Sequence, residues 1–180
     1  MTNSDYYIGL ISGTSVDGVD CALVQFEGNQ PKLIASHCEA IDPDLRETIL
    51  QLCSGKNIDL ELLGTTDIAI GQLFAKGVAT LLAKQTVEKS SILAIGSHGQ
   101  TVFHHPVGDT RFSLQMGDPN SIAQRTGITT VADFRRRDMA AGGEGAPLAP
   151  LLHRNCFQSA STDRVVLNMG GIANITVLNK

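Results

Sequence analysis

The feature that most constrains this chain is a pair of apolar runs joined by a glycine turn at its beginning. Residues 6–11 and 19–26 have the length and composition of β-strands, and the polar segment 12–18 between them contains two glycines. Because glycine tolerates a positive φ, such a turn can direct several backbone N–H groups toward one anion. The pattern fits a hairpin that holds nucleotide phosphates. It also fits an ordinary β-hairpin, since turns favour these residue types.

A second copy of this design lies near the other end of the chain. Residues 164–180 contain a strand-like run, a turn with Gly170 and Gly171, and another strand-like run. Two such units favour two related domains that present their turns to a common cleft. This arrangement resembles the actin-like ATPase and sugar-kinase fold. We therefore expect a first domain over residues 1–160 and the opening hairpin of a second, similar domain over residues 161–180.

Between the two hairpins the pattern predicts an α/β fold with a mixed β-sheet flanked by helices. A third strand is expected over residues 31–41, and Asp42 with Pro43 has the composition of a helix N-cap and first turn. The remaining expectations are helices over 43–53, 58–85, 118–126 and 147–157, strands over 91–96, 111–116 and 128–132, and irregular structure over 97–108 and 135–150.

Composition argues against several functional classes. The chain is 42% hydrophobic and 18% charged, with a net charge of −4, which is typical of a soluble globular protein. Its one basic run, residues 135–137, is short and flanked by Asp133 and Asp138, so no nucleic-acid surface is indicated. No apolar run approaches the ~20 residues of a membrane helix, and no signal peptide is evident. The four cysteines lack paired spacing, which predicts buried free thiols and a cytoplasmic location.

Three polar segments follow predicted strands, two of them inner strands and one the strand of the insert, at the carboxyl ends where open α/β sheets bind their ligands. In residues 97–101, His98 suits a substrate hydroxyl, although a structural histidine has the same surroundings. In residues 116–118, Asp118 is equally a candidate helix N-cap. The third segment, residues 133–138, carries three arginines.

These arginines have two interpretations. Guanidinium groups bind carboxylates and phosphates through two parallel hydrogen bonds, which favours an anion site. Local ion pairs with Asp133 and Asp138 are the competing interpretation. Glu144, in the glycine-rich segment that follows, is either a functional carboxylate or a solvated one.

Five stretches, in this order, resemble the anhydro-N-acetylmuramic acid kinases, which are bacterial cytoplasmic enzymes of peptidoglycan recycling in the sugar-kinase superfamily. The resemblance runs through the whole chain. The stretches are ISGTSVDGVD at 11–20, IGSHGQTVFHHP at 95–106, LQMGDPN at 114–120, TGITTVADFRRRDMAAGGEGAPLAP at 126–150 and LNMGGIANI at 167–175.

The resemblance implies a ribonuclease H-like fold and a kinase that uses ATP and Mg²⁺. The implied reaction cleaves the 1,6-anhydro ring of anhydro-N-acetylmuramic acid with water and phosphorylates O6, giving N-acetylmuramate 6-phosphate. A homodimer is compatible with it. The implied Mg²⁺ residue is Asp17, directly or through water. The implied ATP-binding residues are Gly13, Thr14, Ser15, Val16, Asp17, Gly18, Val19, Asp20, Gly170 and Gly171, and the implied substrate residues are His98, Gln100, Thr101, Asp118, Arg135 and Arg137.

The chain departs from the family in length. Family members are about twice as long, and their catalytic base is an aspartate in a Gly-x-Asp-x-Gly-Pro-Gly-Asn-like motif after the second hairpin. The sequence reaches Lys180 without that motif. We therefore expect the N-terminal half of a kinase, with the base beyond Lys180 and no activity of the chain alone.

Two alternatives stay open. One is a non-catalytic actin-like module that binds a nucleotide and a partner protein. It has no use for residues 97–101 or for the arginine cluster. The other is a metal-dependent hydrolase that uses the chain's histidines, which lack the spacing of a metal-binding helix.

Overall fold

The structure is a computed structural model that describes residues 5–169 and 173–180. Gly170 and Gly171, predicted to bind phosphate, lie outside the described residues. The described helices and strands are β1 Tyr6–Ser12, β2 Gly18–Glu27, β3 Gln30–Ala40, α1 Pro43–Ser54, α2 Leu60–Ala83, β4 Ile92–His105, β5 Phe112–Met116, α3 Pro119–Thr126, β6 Thr130–Ala132, α4 Phe134–Ala140, α5 Ala149–Phe157, β7 Arg164–Met169 and β8 Ala173–Leu178.

The main sheet is mixed, as the sequence predicts. Its strand order is β3-β2-β1-β4-β5, with β6 also paired to β4. Strands β1, β2 and β3 are antiparallel neighbours, whereas β4 is parallel to both β1 and β6. Strands β7 and β8 form a separate antiparallel pair. The chain is therefore an α/β protein with an antiparallel edge and parallel inner strands.

The helix boundaries follow from local capping signals. The Asp42 side chain accepts a hydrogen bond from the backbone N–H of Asp44, and Gly55 ends α1 in the left-handed conformation. Asp59 caps α2 by accepting from the backbone N–H of Leu62. The helices predicted over 43–53 and 58–85 are thus confirmed to within two residues at each end.

The core lies between one face of the sheet and the long helix α2. In β1 and β2 every second side chain points to this face, so Ile8, Leu10 and Leu23 are buried. Phe74 and Leu81 of α2 pack against them and are fully buried. Burial of this apolar face holds α2 on the sheet.

Two glycines of α2 permit this close packing. A Cβ atom at Gly71 would lie 2.7 Å from the carbonyl oxygen of Asp118, and one at Gly77 would lie 2.7 Å from Cys21 Sγ. Helix α2 therefore approaches both β2 and the start of α3 more closely than a side chain allows.

Two expectations about irregular segments are wrong. Residues 97–105 are not a loop, because β4 continues to His105 and pairs with β5 from Gln100 onward, and only residues 106–108 of the predicted segment are irregular. His98 and its neighbours therefore lie within a strand and not beyond its end. The segment 135–150 is likewise not wholly irregular, since it contains most of α4.

The cysteines are free among the described residues, as predicted, but they are not all buried. Cys21 is buried, Cys38 and Cys53 are exposed, and Cys156 is intermediate. Within residues 5–169 and 173–180, no helix combines the length and apolar character that crossing a membrane requires.

A buried carboxylate joins β3 to α2 and makes stability depend on pH. Glu39 is 8% exposed, and its carboxylate lies 2.7 Å from Lys76 Nζ and 2.9 Å from His37 Nε2. Hydrogen bonds from Lys76 and His37 lower the pKa of Glu39 from 4.5 to about 2. Since the folded-state pKa is the lower one, this stabilisation is present above about pH 4.5 and is lost as the pH falls toward 2.

Replacement of Glu39 by glutamine is therefore expected to lower the free energy of unfolding by about 2 kcal/mol at pH 7. At pH 3 the loss is expected to be smaller, because much of the stabilisation that the lowered pKa of Glu39 gives the folded wild-type protein is already gone at this pH. Urea unfolding of both proteins at pH 7 and pH 3 measures this. An equal loss at the two pH values contradicts the assignment.

Candidate active site

The opening turn is anchored by one buried side chain. Val16 adopts a left-handed backbone conformation, with φ of 52°, and its side chain is 1% exposed. The backbone N–H of Val16 donates to the carbonyl oxygen of Gly13 at 3.2 Å. The polar residues around it, Thr14, Ser15 and Asp17, are exposed. Burial of Val16 thus fixes the turn and leaves its polar groups open to a ligand.

Gly18 is needed because β3 passes close to the end of the turn. A Cβ atom there would lie 2.5 Å from Cys38 Sγ and 3.2 Å from the carbonyl oxygen of Glu39. The buried Val19 then continues β2 into the core, while Asp20 is exposed on the opposite face. Gly18 and Val19 therefore shape the turn from within.

The predicted magnesium residue is accessible and has a donor set that suits this ion. One oxygen of Asp17 accepts a hydrogen bond from Ser15 Oγ at 2.8 Å, and Asp20 is also exposed nearby in the chain. Mg²⁺ keeps several waters and needs only one or two protein carboxylates beside substrate phosphates. Among the described residues, no group of three or more His, Cys, Asp or Glu side chains is placed to hold a metal ion by itself.

His98 and Arg135 are brought together although they are far apart in sequence. Arg135 Nε donates to His98 Nε2 at 3.2 Å, and Arg135 Nη1 donates to the carbonyl oxygen of Gly145 at 3.1 Å. Burial and the neighbouring Arg135 cation lower the pKa of His98 to about 4, so this imidazole is neutral at pH 7. Because Nε2 accepts a hydrogen bond, the ring proton resides on Nδ1. His98 is therefore set to donate from Nδ1.

Gln100 and Thr101 lie within the sheet. Gln100 is 1% exposed, and its Oε1 accepts from Ser12 Oγ at 2.6 Å. Thr101 Oγ1 accepts from Gln115 Nε2 at 3.3 Å. Ser12 is the last residue of β1, immediately before the opening turn. The Ser12–Gln100 bond therefore ties the turn to the segment that carries His98, at one edge of the sheet.

Asp118 serves as the N-cap of α3, which is the structural role that the sequence allowed for it. Its carboxylate accepts from the backbone N–H groups of Asn120 and Ser121 at 3.2 and 2.8 Å. It also accepts from the side chains of both residues. Both carboxylate oxygens are thus engaged within the helix start.

The three arginines of the cluster have three different surroundings. Arg135 is half-buried against His98, as described above. Arg136 is exposed and pairs with Asp133, which confirms local pairing for this residue. Arg137 lines an open cleft of about 1030 Å³ between β6, α4 and α5. The walls of this cleft are mainly apolar, and Asp133 and Asp138 also line it.

Two contributors to the site have no local sequence signal. Asp67, on α2, accepts from the backbone N–H of Gly117 at 2.6 Å and so fixes the loop before Asp118. Ser12 reaches Gln100 across 88 positions of sequence. Both contacts depend on how strands and helices pack, which the spacing of residues within one segment does not reveal.

Comparison with known proteins identifies the relatives of this chain. Residues 5–180 match the model of the family described as anhydro-N-acetylmuramic acid kinase. The chain is 52% identical to the anhydro-N-acetylmuramic acid kinase of Shewanella pealeana over 98% of its own length. It is 54% identical to that of Shewanella sp. strain ANA-3 over 98%, and 52% identical to that of Vibrio vulnificus over 99%.

These relatives are sugar kinases, that is, phosphotransferases that act on a sugar. The chain belongs to the anhydro-N-acetylmuramic acid kinase family. It covers 48% of the length of each of these three relatives, so it spans about half of the curated proteins that it matches.

Proposed function

We propose that this chain is the N-terminal half of an ATP-dependent kinase that opens the 1,6-anhydro ring of anhydro-N-acetylmuramic acid with water and phosphorylates O6, giving N-acetylmuramate 6-phosphate. The observation that carries the proposal is that the opening turn, at the carboxyl end of β1, lies beside the part of β4 that carries His98. The two are joined by the hydrogen bond between Ser12 and Gln100. A phosphate donor and a sugar need to meet within a few ångströms, and this part of the sheet has a group suited to each.

In this proposal the chain supplies the binding groups of both substrates. The turn residues 13–17, among which Val16 is buried and the others are exposed, bind the phosphates of ATP together with Gly18, Val19 and Asp20. The Nδ1–H of His98 donates to a sugar oxygen, and the cations of Arg135 and Arg137 attract the lactyl carboxylate or the anhydro oxygen. Asp17 would hold Mg²⁺, which when bound neutralises phosphate charge.

Gln100, Thr101 and Asp118 contribute less directly in this scheme. Their polar groups are engaged with Ser12, Gln115 and the start of α3, so we assign them to shaping the sugar pocket. The second phosphate turn, Gly170 and Gly171, remains a prediction because it lies outside the described residues.

The base that activates the attacking water is, in our proposal, an aspartate in the half of the relatives that this chain does not match. The aspartates near His98 are poor substitutes. Asp133 is paired with Arg136, and Asp138 accepts from the backbone N–H of Gly145. We therefore propose that the chain alone does not turn over ATP. Peptidoglycan recycling in the cytoplasm is the proposed setting, and a homodimer is the proposed assembly.

A non-catalytic nucleotide-binding module remains the alternative function. The exposed turn favours it as much as it favours a kinase. The His98–Arg135 pair separates the two, because a module without a sugar substrate has no use for a half-buried arginine held against a neutral histidine.

NMR spectroscopy of the 180-residue chain tests the proposal directly. We expect a non-hydrolysable ATP analogue with Mg²⁺ to shift the backbone amides of residues 13–20. We expect 1,6-anhydro-N-acetylmuramic acid to shift the His98 imidazole signals instead. A response to the nucleotide with none to the sugar, even at millimolar concentration, favours the binding module and contradicts the kinase.

A further inference from the structure

The carboxylate of Asp138 is directed at a glycine loop and not at an arginine. Its Oδ2 accepts a hydrogen bond from the backbone N–H of Gly145 at 2.8 Å. The backbone carbonyl of Asp138 accepts from the N–H of Gly143 at 3.0 Å. Asp138 alone therefore makes both of these hydrogen bonds, which fold the loop after α4 back onto the helix.

The same loop residue is bound on its other side by Arg135. The carbonyl oxygen of Gly145 accepts from Arg135 Nη1 at 3.1 Å, while Arg135 Nε contacts His98. Gly145 is buried and left-handed, with φ of 74°. Asp138 and Arg135 thus use the two polar backbone groups of one residue, and an unbroken series of hydrogen bonds connects Asp138 to His98.

The glycine at position 143 permits this contact. A Cβ atom there would overlap the Asp138 carboxylate. Gly143 does not have a left-handed φ, so its backbone conformation is open to alanine. Position 143 therefore needs a glycine so that the Asp138 carboxylate can reach the loop.

We propose that Asp138 is a positioning residue, which fixes Gly145 and thereby holds the Arg135 guanidinium against His98. Arg135 keeps His98 Nε2 as an acceptor, so that the ring proton stays on Nδ1. The assignment of a sugar ligand to the Nδ1–H of His98 rests on the proposed function. The series of hydrogen bonds from Asp138 to His98 is independent of the proposed function.

The sign of the change in the pKa of His98 on removing Asp138 distinguishes positioning from a direct electrostatic effect. If the carboxylate acted on His98 directly, its loss would remove a negative charge and lower the pKa of His98 further. If it acts by holding Arg135 in place, its loss lets the guanidinium move away and water enter. The pKa of His98 then rises toward its ordinary value of 6.5.

We expect Asp138→Ala to raise the pKa of His98 from about 4 to at least about 5. NMR titration of the imidazole nitrogens in the 180-residue chain measures this pKa. Asp138→Asn keeps an acceptor oxygen and is expected to restore the wild-type titration. Gly143→Ala displaces the carboxylate without changing any charge, and it is expected to raise the pKa as Asp138→Ala does. Gly143→Ala therefore tests the same contact if Asp138→Ala does not fold.

Asp133→Ala is the matched control, because Asp133 is a nearby aspartate that pairs with Arg136 and not with the loop. It is expected to leave the His98 titration unchanged. An unchanged or lowered pKa of His98 in folded Asp138→Ala and Gly143→Ala overturns the proposal. A raised pKa in a chain that never responds to the sugar upholds the positioning role and contradicts the proposed function instead.

Discussion

Gly99→Ala is expected to lower the free energy of unfolding by about 3–4 kcal/mol, a large part of the 5–15 kcal/mol of a typical domain. Two effects add. Gly99 is left-handed, with φ of 78°, where a side chain costs about 1–2 kcal/mol. The added Cβ would also lie 2.6 Å from the carbonyl oxygen of Met116, within the pairing of β4 and β5. Backbone cannot move aside as a side-chain terminus does, so the strands must separate.

Gly28→Ala is the matched control for this prediction. Gly28 is also left-handed, with φ of 63°, but a Cβ atom there meets nothing within 4 Å. It is expected to cost only the conformational part, about 1–2 kcal/mol. Chemical denaturation of both variants measures the difference. Equal losses would show that the β4–β5 contact at Gly99 is not as close as described.

Arg135→Ala is expected to lower the kcat/KM of the assembled kinase by about 30-fold or more, since losing one partner of a desolvated charge contact with the substrate costs roughly 2–5 kcal/mol. The change removes a cation from the proposed sugar site and frees His98 to take other orientations. The assay uses a chimera in which this chain is joined to the C-terminal part of the Shewanella pealeana relative, because the chain covers 48% of that protein.

Arg136→Ala provides the comparison, since Arg136 is the next residue but is exposed and paired with Asp133. An exposed ion pair contributes less than about 1 kcal/mol, so little change in kcat/KM is expected. Losses of similar size in the two variants would contradict the distinct role of Arg135. Circular dichroism of each variant separates a lost function from a lost fold.

The elements that the sequence predicted well are those with local signals. Asp42 and Gly55 bound α1, and Asp118 and Gly127 bound α3, because capping depends on a few neighbouring residues. The length of β4 escaped prediction for the opposite reason. Its second half is stabilised by pairing with β5, and its glycine and histidine residues carry no strand signal of their own.

The candidate site shows the same division. Asp118 could be located from its capping signal, whereas His98 was singled out by a predicted strand end that the structure does not have, because β4 continues past it. Which of three consecutive arginines faces His98 could not be predicted, because successive residues of a helix point about 100° apart and the limits of α4 were not predicted. The contacts of Ser12 with Gln100 and of Asp138 with Gly145 likewise depend on packing between segments.

In our proposal this chain carries the substrate-binding half of a kinase whose catalytic base lies in the other half. The most direct measurement is phosphorylation of 1,6-anhydro-N-acetylmuramic acid by ATP, with the 180-residue chain, the chimera and the Shewanella pealeana relative assayed side by side. We predict N-acetylmuramate 6-phosphate from the chimera and the relative, and none from the chain alone. Turnover by the chain alone, or a folded chimera that forms no product while the relative does, would contradict this division of roles between the two halves.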